Sequence, residues 1–285
     1  MELWFIFTII GYMIGAVSGI LDKYMMNLQY HPVTYVFLRT FCNAIFLGSA
    51  GLLFLNLCIT PSLLLLATIP ALILAIGFVI YLFVLQRKNA SEIQPFSQSL
   101  DTLFIFLASI LLLQEQASPA NYVGILVIVI GVYLVLTENI TKIPRLDRHL
   151  LIIAALVPSD VAYALLLKTY LRTAEPIALA VSIYVIAFLF LAIISLLMRP
   201  RLQPTKTSLK SLLRIVPIAS FCAAASIAFL YTALSLANAS KVYPMAGINS
   251  AMVFLLATMF LKEKFYWHRF IGTIIVVLGI YLISL

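Results

Sequence analysis

Asn89-Ala90-Ser91-Glu92-Ile93-Gln94-Pro95 and Asn238-Ala239-Ser240-Lys241-Val242-Tyr243-Pro244 carry one motif, Asn-Ala-Ser followed by proline, twice at an offset of 149. Each copy leads into an apolar run. Further on, Leu113-Gln114-Glu115 answers to Leu261-Lys262-Glu263. Gly124, Gly131 and Tyr133 answer to Gly272, Gly279 and Tyr281, now at an offset of 148. Six matched features at a nearly constant offset mark an internal duplication. Outward from the two motifs, charges and turn residues cut the chain into ten apolar runs. They cover roughly 3–22, 32–55, 63–86, 92–113, 119–137, 149–168, 176–198, 211–236, 241–261 and 267–285. Each half holds five, an odd number, so the second half crosses a membrane in the opposite sense. The expected fold is an all-α membrane protein of ten transmembrane helices, built as two inverted-topology five-helix repeats over 1–140 and 141–285. That architecture recurs in secondary transporters, whose site lies near the midplane between the halves.

Composition points the same way. Of 285 residues, 64% are apolar and 10% charged, and mean hydropathy is +1.13. A soluble domain is nearer half apolar and a quarter charged, so a soluble enzyme, a disordered chain and a coiled coil are excluded. A transmembrane β-barrel would have a much weaker average hydropathy. A spanning helix takes about 20 apolar residues, which leaves no room here for a sizeable soluble domain. Cys42, Cys58 and Cys222 have no partner at metal-ligand spacing. The net charge of +8 fits Lys and Arg gathered in cytoplasmic loops better than nucleic-acid binding. Only Glu2 precedes the first apolar run, so no cleavable signal peptide is expected.

Proline at the start of the fourth helix, Leu-x-Glu at its end, and Gly then Gly-x-Tyr in the fifth resemble the EamA repeat of the drug/metabolite transporter superfamily. The second copy reads Pro244, Leu261-Lys262-Glu263, Gly272 and Gly279, and His31-Pro32 followed by Arg39 resembles the family's second helix. The resemblance implies a ten-helix carrier in the plasma membrane. Its central cavity would be lined mainly by helices 1, 3, 4, 6, 8 and 9, with helices 5 and 10 peripheral. The counterpart of Arg39 falls near Ile183, so the halves differ chemically there.

Asp101 lies about ten residues into its helix, about 15 Å deep, and intramembrane acids by default face a cavity. Gln94, Gln98 and Asp101, spaced i, i+4, i+7, share one face. Asp160 is the counterpart in helix 6, with Tyr163 on nearly the same face. Pro158 just before it frees a backbone carbonyl; the blander alternative has Ser159 and Asp160 merely repairing that break. Arg39, at similar depth, is either the counter-ion of one aspartate or snorkels to the interface. Tyr243, Gly247 and Ser250 occupy the repeat positions of Gln94, Gln98 and Asp101. The candidate cavity is therefore Asp101, Asp160, Arg39, Gln94, Gln98, Tyr163, Tyr243 and Ser250. One Arg with two Asp leaves it net −1, which favours a cation or a proton. Gly124, Gly131, Gly272 and Gly279 read as helix packing, between halves or between protomers. Gly11, Gly15 and Gly19 read the same way on helix 1. Asp22-Lys23 and Lys168 lie at the ends of helices 1 and 6, where both lysines are expected to complement helix dipoles and snorkel, a gate or substrate-anion role being the alternative. Glu115 and Glu263 should anchor loops, and Asn89/Ser91 with Asn238/Ser240 should cap helices.

No phosphate loop, HExxH or nucleophile elbow is present, so neither a catalytic nor a metal site is expected, and no cofactor. The reading is a secondary-active carrier of a small organic metabolite or drug-like solute working by alternating access, with protons or another cation coupled. Its partners are that solute, the lipid bilayer and protons, not nucleic acid, with the chain a monomer or homodimer. The alternatives are a non-transporting membrane partner or receptor, and a lipid-modifying membrane enzyme using His31, His149 and His268. In a ten-span topology, the loops on the side of the termini hold three Lys and Arg and the opposite loops hold fourteen. The positive-inside rule then puts both termini outside, whereas the resemblance implies cytoplasmic termini.

Overall fold

Proline opens helix after helix. Pro32, Pro61, Pro119 and Pro176 take the first position of α2 (Pro32–Phe54), α3 (Pro61–Leu85), α5 (Pro119–Leu136) and α7 (Pro176–Met198). A missing N–H costs least there. The computed structural model describes residues 2–54, 57–115, 118–136, 147–198 and 206–284. The other helices are α1 (Leu3–Asn27), α4 (Ala90–Leu113), α6 (Arg148–Tyr170), α8 (Lys206–Leu236), α9 (Ala239–Val242), α10 (Gly247–Phe260) and α11 (Trp267–Ser284). A 3-10 turn, Tyr243–Ala246, joins α9 to α10. Among the described residues, eight stretches are long and apolar enough to cross a membrane, one of them Ala239–Phe260. Pro119–Gly131 and Trp267–Gly279 are shorter apolar helices. The chain is an integral multi-pass membrane protein.

Two elements depart from the sequence expectation. The first helix continues to Asn27, past residue 22, because Asp22 and Lys23 are buried inside the bundle instead of marking its edge. The ninth run is three pieces instead of one helix, tightening to 3-10 geometry around Pro244. Pro95, at the same repeat position, leaves α4 unbroken, as do Pro70, Pro158 and Pro217 in their helices.

The helices pack as α1 on α8 and α3 on α6; α2 on α7; α2 on α8 and α3 on α7; α1 on α10 and α4 on α6; α4 on α10; and α5 on α11. Exchanging the two halves returns the same pairings. In lipid, water does not drive helices together, so close packing and interhelical hydrogen bonds must. Gly11 and Gly15 let α8 approach: a Cβ on Gly11 would lie 2.8 Å from Leu230 Cγ. Ser226 donates to the Gly11 carbonyl at 2.8 Å, Ser18 to Ala219, Asn249 to Tyr12 and Ser220 to Arg39. Such bonds contribute about 0.6 kcal/mol each. On α5 and α11 the approach is closer still. A Cβ on Gly131 would meet the Gly272 carbonyl at 2.7 Å, and one on Gly279 the Gly124 carbonyl at 2.7 Å. The four glycines thus face one another across the two halves of one chain.

The two ends of the bundle are tied by matching contacts. At one end, Lys23 Nζ donates to the carbonyls of Leu85 and Lys88, at the C-terminus of α3. At the other, Lys168 Nζ donates to Leu234 and Ala237, at the C-terminus of α8. Both lysines are buried and complement the dipole of a neighbouring helix, and Lys168 also lies in the last turn of its own. Asn89 and Asn238 sit at the N-caps of α4 and α9 without a side-chain cap bond. Glu263 instead accepts the backbone N–H groups of Ala90 and Ser91, and Glu115 those of Ala239 and Ser240. Each glutamate follows a residue in the left-handed region, Lys262 (φ 56°) or Gln114 (φ 55°), which turns it back towards the partner helix.

Candidate functional site

Asp101 and Asp160 sit halfway along α4 and α6, and α4 packs on α6. Two cavities adjoin there, of about 400 and about 350 Å³. Both aspartates line both, together with Leu74, Tyr163, Tyr184 and Ile227. The first cavity runs towards the Lys23 end of the bundle and is polar, with Arg39, Asp22, Gln94, Ser97, Asn43 and Tyr81 in its wall. The second runs towards the Lys168 end and is aromatic and apolar, adding Tyr12, Gln98, Tyr231, Tyr243, Leu230 and Leu234. The carboxylates occupy the junction.

Neither aspartate has an ion-pair partner among the described residues. Ser97 donates to Asp101 Oδ2 at 3.3 Å, and Oδ1 has no partner. Ser159 bonds the Leu156 carbonyl of its own helix, whereas Asp160 makes no such repair. A Cβ on Gly77 would lie 4.0 Å from Asp160 Oδ1, so α3 offers open wall beside that carboxylate.

The expectation that Arg39 is the counter-ion of Asp101 or Asp160, or else snorkels, is corrected. Arg39 Nε lies 2.8 Å from Asp22 Oδ1, and the pair is buried. Tyr35 donates to the same Oδ1 at 2.6 Å, Arg39 donates to Ser18 at 2.6 Å, and its guanidinium lies 5.4 Å from the Phe78 ring. Register explains it. Asp22 is little more than one turn from the end of α1 and Arg39 two turns into α2, so the short connection between the two helices brings them level. The charge count changes accordingly. Asp22 and Arg39 cancel, and the site holds net −2 with both remaining aspartates ionised, not −1.

The sequence candidates fall as follows. Arg39, Gln94, Asp101, Asp160 and Tyr163 line the first cavity. Gln98 and Tyr243 line the second. Ser250 lines neither; it is buried and donates to Gln98 Oε1 at 2.5 Å. Gln94 accepts from Tyr81 and donates to Asn249. Tyr163 and Tyr231 share a hydroxyl hydrogen bond. Sequence reasoning placed Asp22 only at a helix end beside Lys23, and did not single out Tyr81, Tyr184 or Tyr231. The repeat hinted at Tyr184, which follows the Arg39 counterpart; a tyrosine in an apolar helix carries no other signal. Among the described residues, no three His, Cys, Asp or Glu side chains are grouped to hold a metal.

The EamA-like transporter pattern matches the chain twice, over residues 2–137 and 149–285. The chain belongs to the EamA-like transporter family. This places it in the drug/metabolite transporter superfamily. Among solved structures, 28 chains match. One of them, described only as "Crystal structure of protein", aligns over 96% of this chain and 98% of its own, with a TM-score of 0.66 and 17% identity. That likeness concerns the fold. No match was found among curated proteins.

Proposed function

We propose that this EamA protein is a secondary-active carrier that moves a small organic solute by alternating access and couples it to protons or another cation through Asp101 and Asp160. The observation that carries the reading is the pair of carboxylates, neither with an ion-pair partner among the described residues, at the junction of two cavities directed to opposite ends of the bundle. A group reached from one cavity, then from the other, is what a coupled carrier requires. The helices form ten spans in two inverted five-helix repeats, 1–140 and 141–285. The double family match and the exchange-invariant packing support this. Catalysis is not part of the reading.

The test is flux. Purified protein in liposomes loaded with a pH-sensitive dye is offered amino acids, nucleosides, sugars, polyamines and cationic dyes in turn. A transported solute moves protons in step with its own flux, and Asp101→Asn abolishes that movement while the protein stays folded. Asp160→Asn does the same. Full gradient-driven activity in either variant removes that residue from coupling.

A further inference from the structure

Resting on the carrier reading, we propose that the solute is an organic cation, an ammonium on an apolar or aromatic body. The ammonium sits between Asp101 and Asp160, and the body fills the tyrosine-walled cavity beyond them.

Three observations carry this. The first is charge. The charged residues lining the two cavities are Asp22, Arg39, Asp101 and Asp160. Asp22 and Arg39 balance each other's charge at 2.8 Å, although Arg39 Nη1 is buried without a hydrogen-bond partner, while Asp101 Oδ1 is buried with neither an ion-pair nor a hydrogen-bond partner. Uncompensated negative charge in a low-dielectric site is relieved by a proton or by a bound cation, and an ammonium that exchanges with the proton meets both needs. The second is the wall chemistry. Tyr12, Tyr163, Tyr184, Tyr231 and Tyr243 all line the second cavity, around the same two carboxylates. Ring faces attract cations, and rings beside a carboxylate are how proteins hold alkylammonium groups. The third is size. At about 350 Å³, the second cavity is within the range that small organic ligands fill. It adds Leu, Ile and Ala side chains that a hydrated inorganic ion would not use. An organic anion is disfavoured by the two acids. The carboxylate of a zwitterion would have to share Arg39 with Asp22, which already balances its charge.

The test is equilibrium binding to the full-length protein in nanodiscs, using three probes of one shape. These are phenethylamine, cationic at neutral pH, phenylacetate and 2-phenylethanol; phenylalanine is a fourth arm. Phenethylamine is expected to bind saturably and at least about tenfold more tightly than the other three, the scale of one charge-assisted contact. Asp101→Asn and Asp160→Asn should each weaken it by about tenfold. Tyr243→Leu should weaken it several-fold while Tyr243→Phe, which keeps the ring, leaves it unchanged. Monodispersity on size exclusion separates a misfolded variant from a binding defect. Phenylacetate or 2-phenylethanol binding as well as the amine overturns the proposal. So does phenylalanine binding more tightly, which would assign Arg39 to a carboxylate. Absence of saturable phenethylamine binding overturns it too. Binding and transport fail separately. Proton-linked flux of an anionic or neutral solute, with no amine binding, sinks the substrate class and leaves the carrier. Amine binding without flux or exchange in liposomes sinks the carrier and leaves the site.

Discussion

Arg39 and Asp22 form a buried pair, and removing one partner leaves the other charged and uncompensated. Such a break costs about 3–5 kcal/mol. Asp22→Asn and Arg39→Met should each lower the melting temperature strongly, whereas the double variant should recover much of the loss. Additive losses in the double variant would show that the two residues act independently. A second residue-scale prediction concerns pH. Asp147 caps α6 by accepting from the His149 and Leu150 N–H groups, and Lys88 Nζ lies 2.5 Å from its Oδ2. Desolvation alone would raise its carboxyl. The Lys88 hydrogen bond and charge, with the two N–H groups, outweigh it and hold the carboxyl at about 2. Its folded value therefore lies below the unfolded one, about 3.9. Its contribution is full above about pH 5 and fades as pH falls towards about 2. The melting-temperature gap between wild type and Asp147→Asn should close over that window and stay constant above it. A gap that widens with acid would reverse the sign. The carboxylate is partly exposed, so the gap is small.

At the scale of elements, the crossed glutamates are the testable feature. Glu263 holds the start of α4 and Glu115 the start of α9, each reaching from the opposite half. Losing a helix cap costs about 1 kcal/mol. The caps lie at opposite ends of α4, about 35 Å apart at 1.5 Å per residue, so Glu115→Ala and Glu263→Ala should destabilise additively. The glycine seam makes a sharper demand. An alanine methyl at Gly131 or Gly279 would meet a backbone carbonyl at 2.7 Å, and backbone cannot swing aside. Either substitution should lower thermal stability, by about 1–3 kcal/mol, without altering solute preference. A stable variant with altered preference would move this seam into the transport path.

What the sequence made legible, and what it hid, follows from where the information lies. Proline, asparagine and the Leu-x-Glu repeats are local marks, so most helix boundaries could be read directly. Asp101 and Asp160 stood out because an acid in an apolar run is rare and costly. The Asp22–Arg39 pair was hidden because it depends on how α1 and α2 align, and no local mark records that. The cap glutamates were mistaken for loop anchors for the same reason, since their partners lie in the other half. Ser250 looked like cavity wall by repeat position, but its hydroxyl is spent on Gln98.

For the molecule as a whole, orientation is open to a direct measurement. Cys58 is exposed in the connection between α2 and α3, at the end of the bundle with few positive loops. The charge bias puts the Cys58 end outside the cell. A membrane-impermeant thiol reagent should then label intact cells, and Cys58→Ser should abolish the signal. Labelling only after permeabilisation would restore cytoplasmic termini.

Alternating access around the Asp101–Asp160 junction is tested most directly by placing one cysteine in each cavity, with the native cysteines removed. Ser97→Cys reports the polar cavity and Ala246→Cys the aromatic one. In oriented vesicles, a water-soluble thiol reagent should reach them from opposite sides. Imposing a pH gradient across the membrane should raise one labelling rate as it lowers the other. Labelling of both from the same side, or rates that rise and fall together, would contradict a carrier whose site is exposed to one end at a time.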